Sequence, residues 1–248
     1  MTLTNKVVVV LGGGGLLGSE IARECTQAGA RVVVADIKEP EMPAGAVFIP
    51  CDATDEAQTN ALAQKVQTDF GRIDGVVNAT YPSGTKAMQN KGFESGDIDD
   101  MLHNMSLHLR TCFLVVRAFA PIFRKQKSGA VVFFGSIYGV AAPRFEMYEG
   151  LPMTQPAEYA AAKGGIVAVT RYFASLLGKD GIRVNTISPG GIMAGQPQSF
   201  VDAYSKKLLL GTGLLEPKHV SGAAAFLVSD ASAMMTGQNL VIDGGWTL

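Results

Sequence analysis

The chain has 248 residues, 47% of them hydrophobic and only 17% charged, with 29 glycines and a net charge of −1. A balance of 21 basic against 22 acidic residues leaves no cationic field for nucleic acid or an anionic membrane surface. No run of about 18 uncharged apolar residues marks a membrane span. A charged fraction this far below the usual value of about 25% points to a large core, to subunit contacts, or to both.

In chain order, apolar runs of strand length alternate with helical stretches. Strands are expected at 7–11, 31–35, 46–49, 75–78, 129–135, 183–188 and 239–242, and helices at 17–28, 55–70, 98–125, 157–177 and 217–229. Lys6 and the apolar run after it look like a signal peptide only as far as the glycines at 12–15 and Glu20, so the run is read as the first strand. The strand runs are continuous and rich in valine and isoleucine, as expected where both faces of a sheet are covered. Pro156 and Pro217 suit helix starts. The alternation predicts an α/β fold, a doubly wound parallel sheet with helices on both faces, forming a single domain over 1–248. Two long polar loops, at about 80–97 and 141–156, are expected to carry substrate contacts. Cys25, Cys51 and Cys112 are odd in number and scattered, which fits reduced thiols in a cytoplasmic protein. No cysteine or histidine pairing has metal-ligand spacing, so no metal is expected.

The run Leu11 to Gly18 follows the first strand and opens a helix. Its glycines, Gly12, Gly14, Gly15 and Gly18 among them, allow a tight turn and close approach of backbone to a pyrophosphate at the helix N-terminus. With Leu16 and Leu17 they form the expected phosphate-binding turn of a Rossmann-type dinucleotide site. Asp36 lies 18 residues beyond Gly18, at the end of the second strand, followed by Ile37. An acidic side chain there accepts hydrogen bonds from the adenosine ribose and repels the extra phosphate of NADP, so NAD is favoured over NADP. Lys38 works in the opposite direction, and a turn or cap is the other reading of Asp36.

Tyr159 and Lys163 sit four residues apart on one face of an expected helix. Ser136 ends the strand before that helix, and Asn185 to Gly190 ends the strand after it. With the N-terminal glycines, Cys51-Asp52, Val77-Asn78-Ala79, Thr236-Gly237-Gln238 and Asp243-Gly244-Gly245, these motifs run in one order along essentially the whole chain. In this the chain resembles the short-chain dehydrogenase/reductase family, in its compact single-domain branch. The resemblance implies NAD(P)-dependent interconversion of an alcohol and a carbonyl in a small molecule. Tyr159 would be the general acid/base, its pKa lowered by Lys163, with Ser136 holding the substrate oxygen. It also implies a cofactor-binding set in which Cys51, Asp52 and Ala53 border the adenine, Asn78, Ala79 and Thr80 pack along the cofactor, Lys163 and Tyr159 meet the nicotinamide ribose, and Pro189, Gly191 and Ile192 face the nicotinamide. A homodimer or homotetramer is implied, joined through the 98–125 and 157–177 helices and the C-terminal strand region.

Four departures from the family pattern stand out. Leu16 replaces the second glycine of the turn, and Ala194 falls where a threonine often meets the nicotinamide. His108 occupies the place of a helix asparagine that relays protons to the lysine, and would serve that relay with added pH sensitivity; a histidine packed at a helix interface is the other reading. The Ser136–Tyr159 spacing of 23 residues is longer than usual. Its insertion, with Arg144, Glu146, Tyr148 and Glu149, is expected to border the substrate pocket and to suit a polar, hydroxyl-rich substrate. The wording of the Ser136–Gly150 and Ser188–Pro197 stretches is similar to bacterial oxidoreductases of the flagellin-modification group, associated with legionaminic-type sugar pathways. That likeness implies an amino-sugar or nucleotide-sugar substrate. A generic polyol, hydroxy acid or 3-oxoacyl substrate, or a dinucleotide-binding sensor without catalysis, are the alternatives.

Overall fold

The computed structural model describes residues 2–82, 93–211 and 213–248. Seven strands form one sheet: β1 (Val7–Leu11), β2 (Arg31–Asp36), β3 (Val47–Pro50), β4 (Gly75–Asn78), β5 (Gly129–Phe134), β6 (Ile182–Pro189) and β7 (Asn239–Ile242). Six α-helices accompany them: α1 (Leu16–Gln27), α2 (Glu56–Phe70), α3 (Ile98–Gln126), α4 (Ala157–Leu177), α5 (Gln198–Ser205) and α6 (Lys218–Val228). The spatial order is β3-β2-β1-β4-β5-β6-β7, and every pairing is parallel. The fold is therefore the expected doubly wound, Rossmann-type sheet.

Strand alternation divides the core into two layers. Val7, Val9 and Leu11 join Val33, Val76, Val131 and Phe133 under Leu62 and Val66 of α2, Phe119 and Phe123 of α3, and Ile166 and Phe173 of α4. Val8 and Val10 face the other way, with Val32, Val34, Val77 and Val132 against Ile21 and Cys25 of α1 and Ala224 and Leu227 of α6. Both faces being covered, strands β1, β4 and β5 are buried at every residue, which explains their unbroken apolar runs.

The helix ends are set locally. Asp55 caps α2 by accepting from Gln58 N at 2.8 Å, and Asp97 caps α3 by accepting from Asp99 N and Asp100 N. Acidic Asp99 and Asp100 in the first turn of α3 and basic Arg124 and Lys125 in its last suit the helix dipole. Helix α3 is long and apolar enough to cross a membrane by length and composition alone. Here 56% of its most apolar window is buried inside the protein, against α2, α4 and β5, so its apolar character belongs to the core. The loop expected at 80–97 is described only in part, since residues 83–92 lie outside the described residues. Helix α5 was not expected from the sequence, and neither was the short 3-10 turn Phe145–Tyr148 inside the insertion.

Asp74 pins the sheet's centre. Its Oδ2 accepts from Val7 N at 2.8 Å and Arg72 Nε at 3.0 Å, while its carbonyl accepts from Ala130 N. It therefore holds the starts of β1 and β5 to β4. Asp74→Ala leaves a buried N–H unpaired at β1, and urea unfolding is expected to show a loss of about 1–3 kcal/mol; an unchanged midpoint contradicts this role.

Candidate active site

The strand order reverses between β1 and β4, and both end in loops on the same edge of the sheet. That is where a crevice opens in such folds. Here it is a cleft of about 1160 Å³ running from Asp36 to Tyr204. Gly12 has φ +71°, and a Cβ there would lie 2.8 Å from the Thr80 backbone. The two loops thus touch only because position 12 has no side chain. Gly18 does not line the cleft; it lets α1 close onto Gly12 O, which a Cβ would meet at 2.0 Å.

Gly14, Gly15, Leu16 and Leu17 line the cleft at the start of α1. The helix has no side-chain cap and no acidic residue in its first turn, so its N-terminal donors are left for an anion. Leu16 is half exposed there, in the place of the missing glycine. Asp36 is oriented at the end of β2: Oδ2 accepts from Gly14 N at 2.9 Å and Oδ1 from Ile37 N at 2.7 Å. One carboxylate thus braces the glycine turn and lines the cleft. Ile37, Cys51, Asp52, Ala53, Ala79 and Thr80 also line it. Burial pushes the Cys51 thiol up to about 11, which keeps it protonated. Asn78 stands behind the wall: Nδ2 donates to Thr111 Oγ1 at 3.1 Å and Oδ1 accepts from Thr80 Oγ1 at 2.6 Å. It shapes the β4 loop from underneath.

At the other end, Ser136, Tyr159 and Lys163 converge from the end of β5 and from α4. The Ser136 hydroxyl accepts from Tyr138 N at 3.2 Å and is close enough to the Tyr159 phenol to oppose its upward shift. Lys163 is buried, its Nζ donating to Phe134 O at 2.9 Å and lying 5.5 Å from the Tyr159 ring centre. Loss of hydration brings the Lys163 ammonium down to about 8. Burial pushes the Tyr159 phenol up, opposed by the nearby Ser136 hydroxyl. The Lys163 ammonium is anchored on a backbone carbonyl.

His108 is brought to the same place but does not line the cleft. It is buried, with its ring edge-on to Tyr81 at 5.2 Å and to Tyr159 at 6.3 Å. Its carbonyl accepts from Thr111 Oγ1, and its Nε2 has no hydrogen-bond partner among the described residues. Burial, then the Lys163 charge, pushes the imidazole down to about 4. The ring therefore stays neutral near pH 7. Tyr81, which lines the cleft beside Tyr159, was missed in the sequence; its signal was an aromatic residue directly after Asn78-Ala79-Thr80.

The insertion borders the cleft as expected, though not through its charged residues. Glu146 and Glu149 are exposed, and the Arg144 guanidinium stacks 4.9 Å over the Trp246 ring. What reaches the cleft is Tyr148, Met153, Thr154 and Gln155. Helix α5 adds Phe200 and Tyr204, whose hydroxyl accepts from Gly191 N at 2.7 Å and fixes the loop after β6. Pro189, Gly190, Gly191 and Ile192 line the cleft as placed, and Gln196 fills the space by Ala194, accepting from its N–H and donating to Ile192 O, both at 2.8 Å.

The His108 imidazole has a folded pKa below its unfolded value near 6.5, so protonation favours the unfolded chain. Its stabilising effect is complete above that value and is lost as pH falls toward about 4. NMR titration of the His108 ring is expected to show a midpoint near 4; one near 6.5 contradicts the burial of a neutral ring.

Comparison with known proteins agrees with this geometry. A family model described as enoyl-(acyl carrier protein) reductase matches residues 15–247. The post-translational flagellin modification protein A of Campylobacter coli is 32% identical over 99% of this chain and 100% of its own length. The D-threitol dehydrogenase of Mycolicibacterium smegmatis is 30% identical, covering 99% and 94% respectively. Among solved structures, a short-chain dehydrogenase from Leptospira borgpetersenii with bound NAD+ superimposes with a TM-score of 0.88 at 30% identity, covering 99% of this chain and 94% of that one. With the motifs, the sheet order and the Ser136–Tyr159–Lys163 cluster in agreement, the chain belongs to the short-chain dehydrogenase/reductase family of oxidoreductases.

Proposed function

We propose that the protein is an NAD-dependent oxidoreductase that interconverts a secondary alcohol and a ketone on a carbohydrate-type substrate. The observation that carries this reading is the convergence of Ser136, Tyr159 and Lys163 at one end of a cleft whose other end holds the α1 N-terminus and Asp36. The uncapped helix start and the glycine turn fit a pyrophosphate, and the Asp36 carboxylate fits a ribose diol and opposes the added phosphate of NADP. The NAD+ bound to the Leptospira structure supports the same cofactor here. When bound, the nicotinamide dinucleotide accepts or supplies the hydride.

The chain's own residues manage the proton. Ser136 holds the substrate oxygen beside Tyr159, which takes the hydroxyl proton in oxidation and returns it in reduction. Burial raises the phenol, and the Lys163 ammonium, held by Phe134 O, supplies the positive charge that favours the phenolate. His108 serves as a neutral packing partner that holds Tyr81 and Tyr159 edge-on.

A carbohydrate-type substrate is supported by the flagellin-modification relative and by the threitol dehydrogenase, which acts on a polyol by its name. Exposed Leu102 and Phe113 on α3 and Tyr172 and Leu176 on α4 support assembly into a homodimer or homotetramer through those helices. Tyr159→Phe tests the central assignment: NAD-linked turnover of a responsive polyol is expected to fall by about 10²–10⁴-fold in kcat, and retention of kcat within a factor of about two contradicts it.

A further inference from the structure

The substrate end of the cleft has a chemistry that the family's machinery does not require. The Tyr138 and Tyr148 hydroxyls meet at 2.8 Å, and Tyr148 Oη stands 3.5 Å from Gln155 Oε1. With Tyr138 as donor, the Tyr148 proton has only that long contact, at the outer limit of a hydrogen bond, and remains available to a ligand. The Tyr148 ring packs on Phe200 at 5.2 Å, which gives this end an aromatic wall. Tyr138 and Tyr148 line the same cleft as Ser136 and Tyr159, and Tyr138 N donates to Ser136 Oγ at 3.2 Å. Among the described residues lining the cleft, the basic side chains are Lys38 and Lys163. Lys38 belongs to the Asp36 end, and Lys163 is anchored on Phe134 O. Arg144 lies behind the wall on Trp246. Among the described residues, a carboxylate or diphosphate entering here would lose its hydration and meet no cation beyond the Lys163 ammonium already held by Phe134 O.

We propose that this end selects an uncharged vicinal diol, one oxygen held by Ser136 and Tyr159 and the neighbouring oxygen held by Tyr148 and the Gln155 amide, with the carbon skeleton against Phe200. This rests on the oxidoreductase reading above and narrows its substrate to a neutral polyol or sugar ring, not a sugar acid or a nucleotide-sugar. Tyr148 and Gln155 come from the insertion between Ser136 and Tyr159, so the insertion is the specificity element.

The test compares NAD-linked kcat/KM for a vicinal cyclopentanediol, cyclopentanol, glucuronate and UDP-glucose, in the wild type and in Tyr148→Phe, with NADH titration by fluorescence reporting that each protein is folded. The wild type is expected to favour the diol over cyclopentanol by about tenfold or more and to disfavour both charged compounds. Loss of one hydrogen-bonding group to the second oxygen is worth about this much. In Tyr148→Phe the diol-to-cyclopentanol ratio is expected to fall to within about threefold of one. A ratio near one in the wild type, a ratio that survives in Tyr148→Phe, or a preference for either charged compound overturns the proposal and leaves the oxidoreductase reading standing. Absence of turnover with all four compounds at full NADH binding overturns both.

Discussion

Parallel pairing of all seven strands is the constraint from which the site follows. A parallel strand must be followed by a crossover that returns the chain to the opposite edge, so every strand ends on the same side of the sheet. Leu11, Asp36, Asn78, Phe134 and Pro189 all close their strands there. The crossovers leave in opposite directions on the two sides of the β1–β4 junction, which opens the crevice between the glycine turn and the β4 loop. Asp74, at the other edge, keeps β1, β4 and β5 in register. The position of each reacting group is thus a consequence of strand pairing before any side chain touches another.

Within that crevice the two ends are built on different physics. The Asp36 end uses backbone donors and a half-buried carboxylate to meet a charged, hydrated ligand. At the Tyr159 end burial displaces Tyr159 upward and Lys163 and His108 downward, so each is driven toward its neutral form. A developing charge on the substrate oxygen in such a place interacts strongly with the few groups that remain, chiefly the Ser136 hydroxyl and the Lys163 ammonium. The aromatic wall of Tyr138, Tyr148, Phe200 and Tyr204 continues this environment outward. Arg144 strengthens it from behind by stacking on Trp246, whose ring in turn stacks on Tyr204 at 5.5 Å.

Much of this was legible in the sequence where a residue's role depends on its own neighbours in the chain. The Val7–Leu11 run, the glycines after it, and Tyr159 and Lys163 at four-residue spacing declare themselves locally, because strand burial, tight turns and helical faces have fixed periods. Helix α5 did not, since it is eight residues long and starts at Pro197 with no side-chain cap. The insertion misled because charge in a sequence carries no direction: Glu146 and Glu149 turn outward while Tyr148 turns in. The Lys163 contact with Phe134 O, and the depression of His108 by burial and by Lys163, arise between elements far apart in the chain. No spacing rule announces such pairings. Gly18 and Asn78 were recognised as important, but the structure gives them the work of supporting the cleft wall in place of lining it.

The central claim is that this cleft brings a carbinol carbon and NAD together for direct hydride transfer. The most direct measurement uses a polyol deuterated at the reacting carbon, incubated with the protein and unlabelled NAD+, followed by mass spectrometry of the reduced cofactor. The account predicts that the deuterium arrives on the nicotinamide ring in one-to-one proportion with NADH formed. Reduced cofactor without the label, or no reduced cofactor with any polyol that binds, would contradict it.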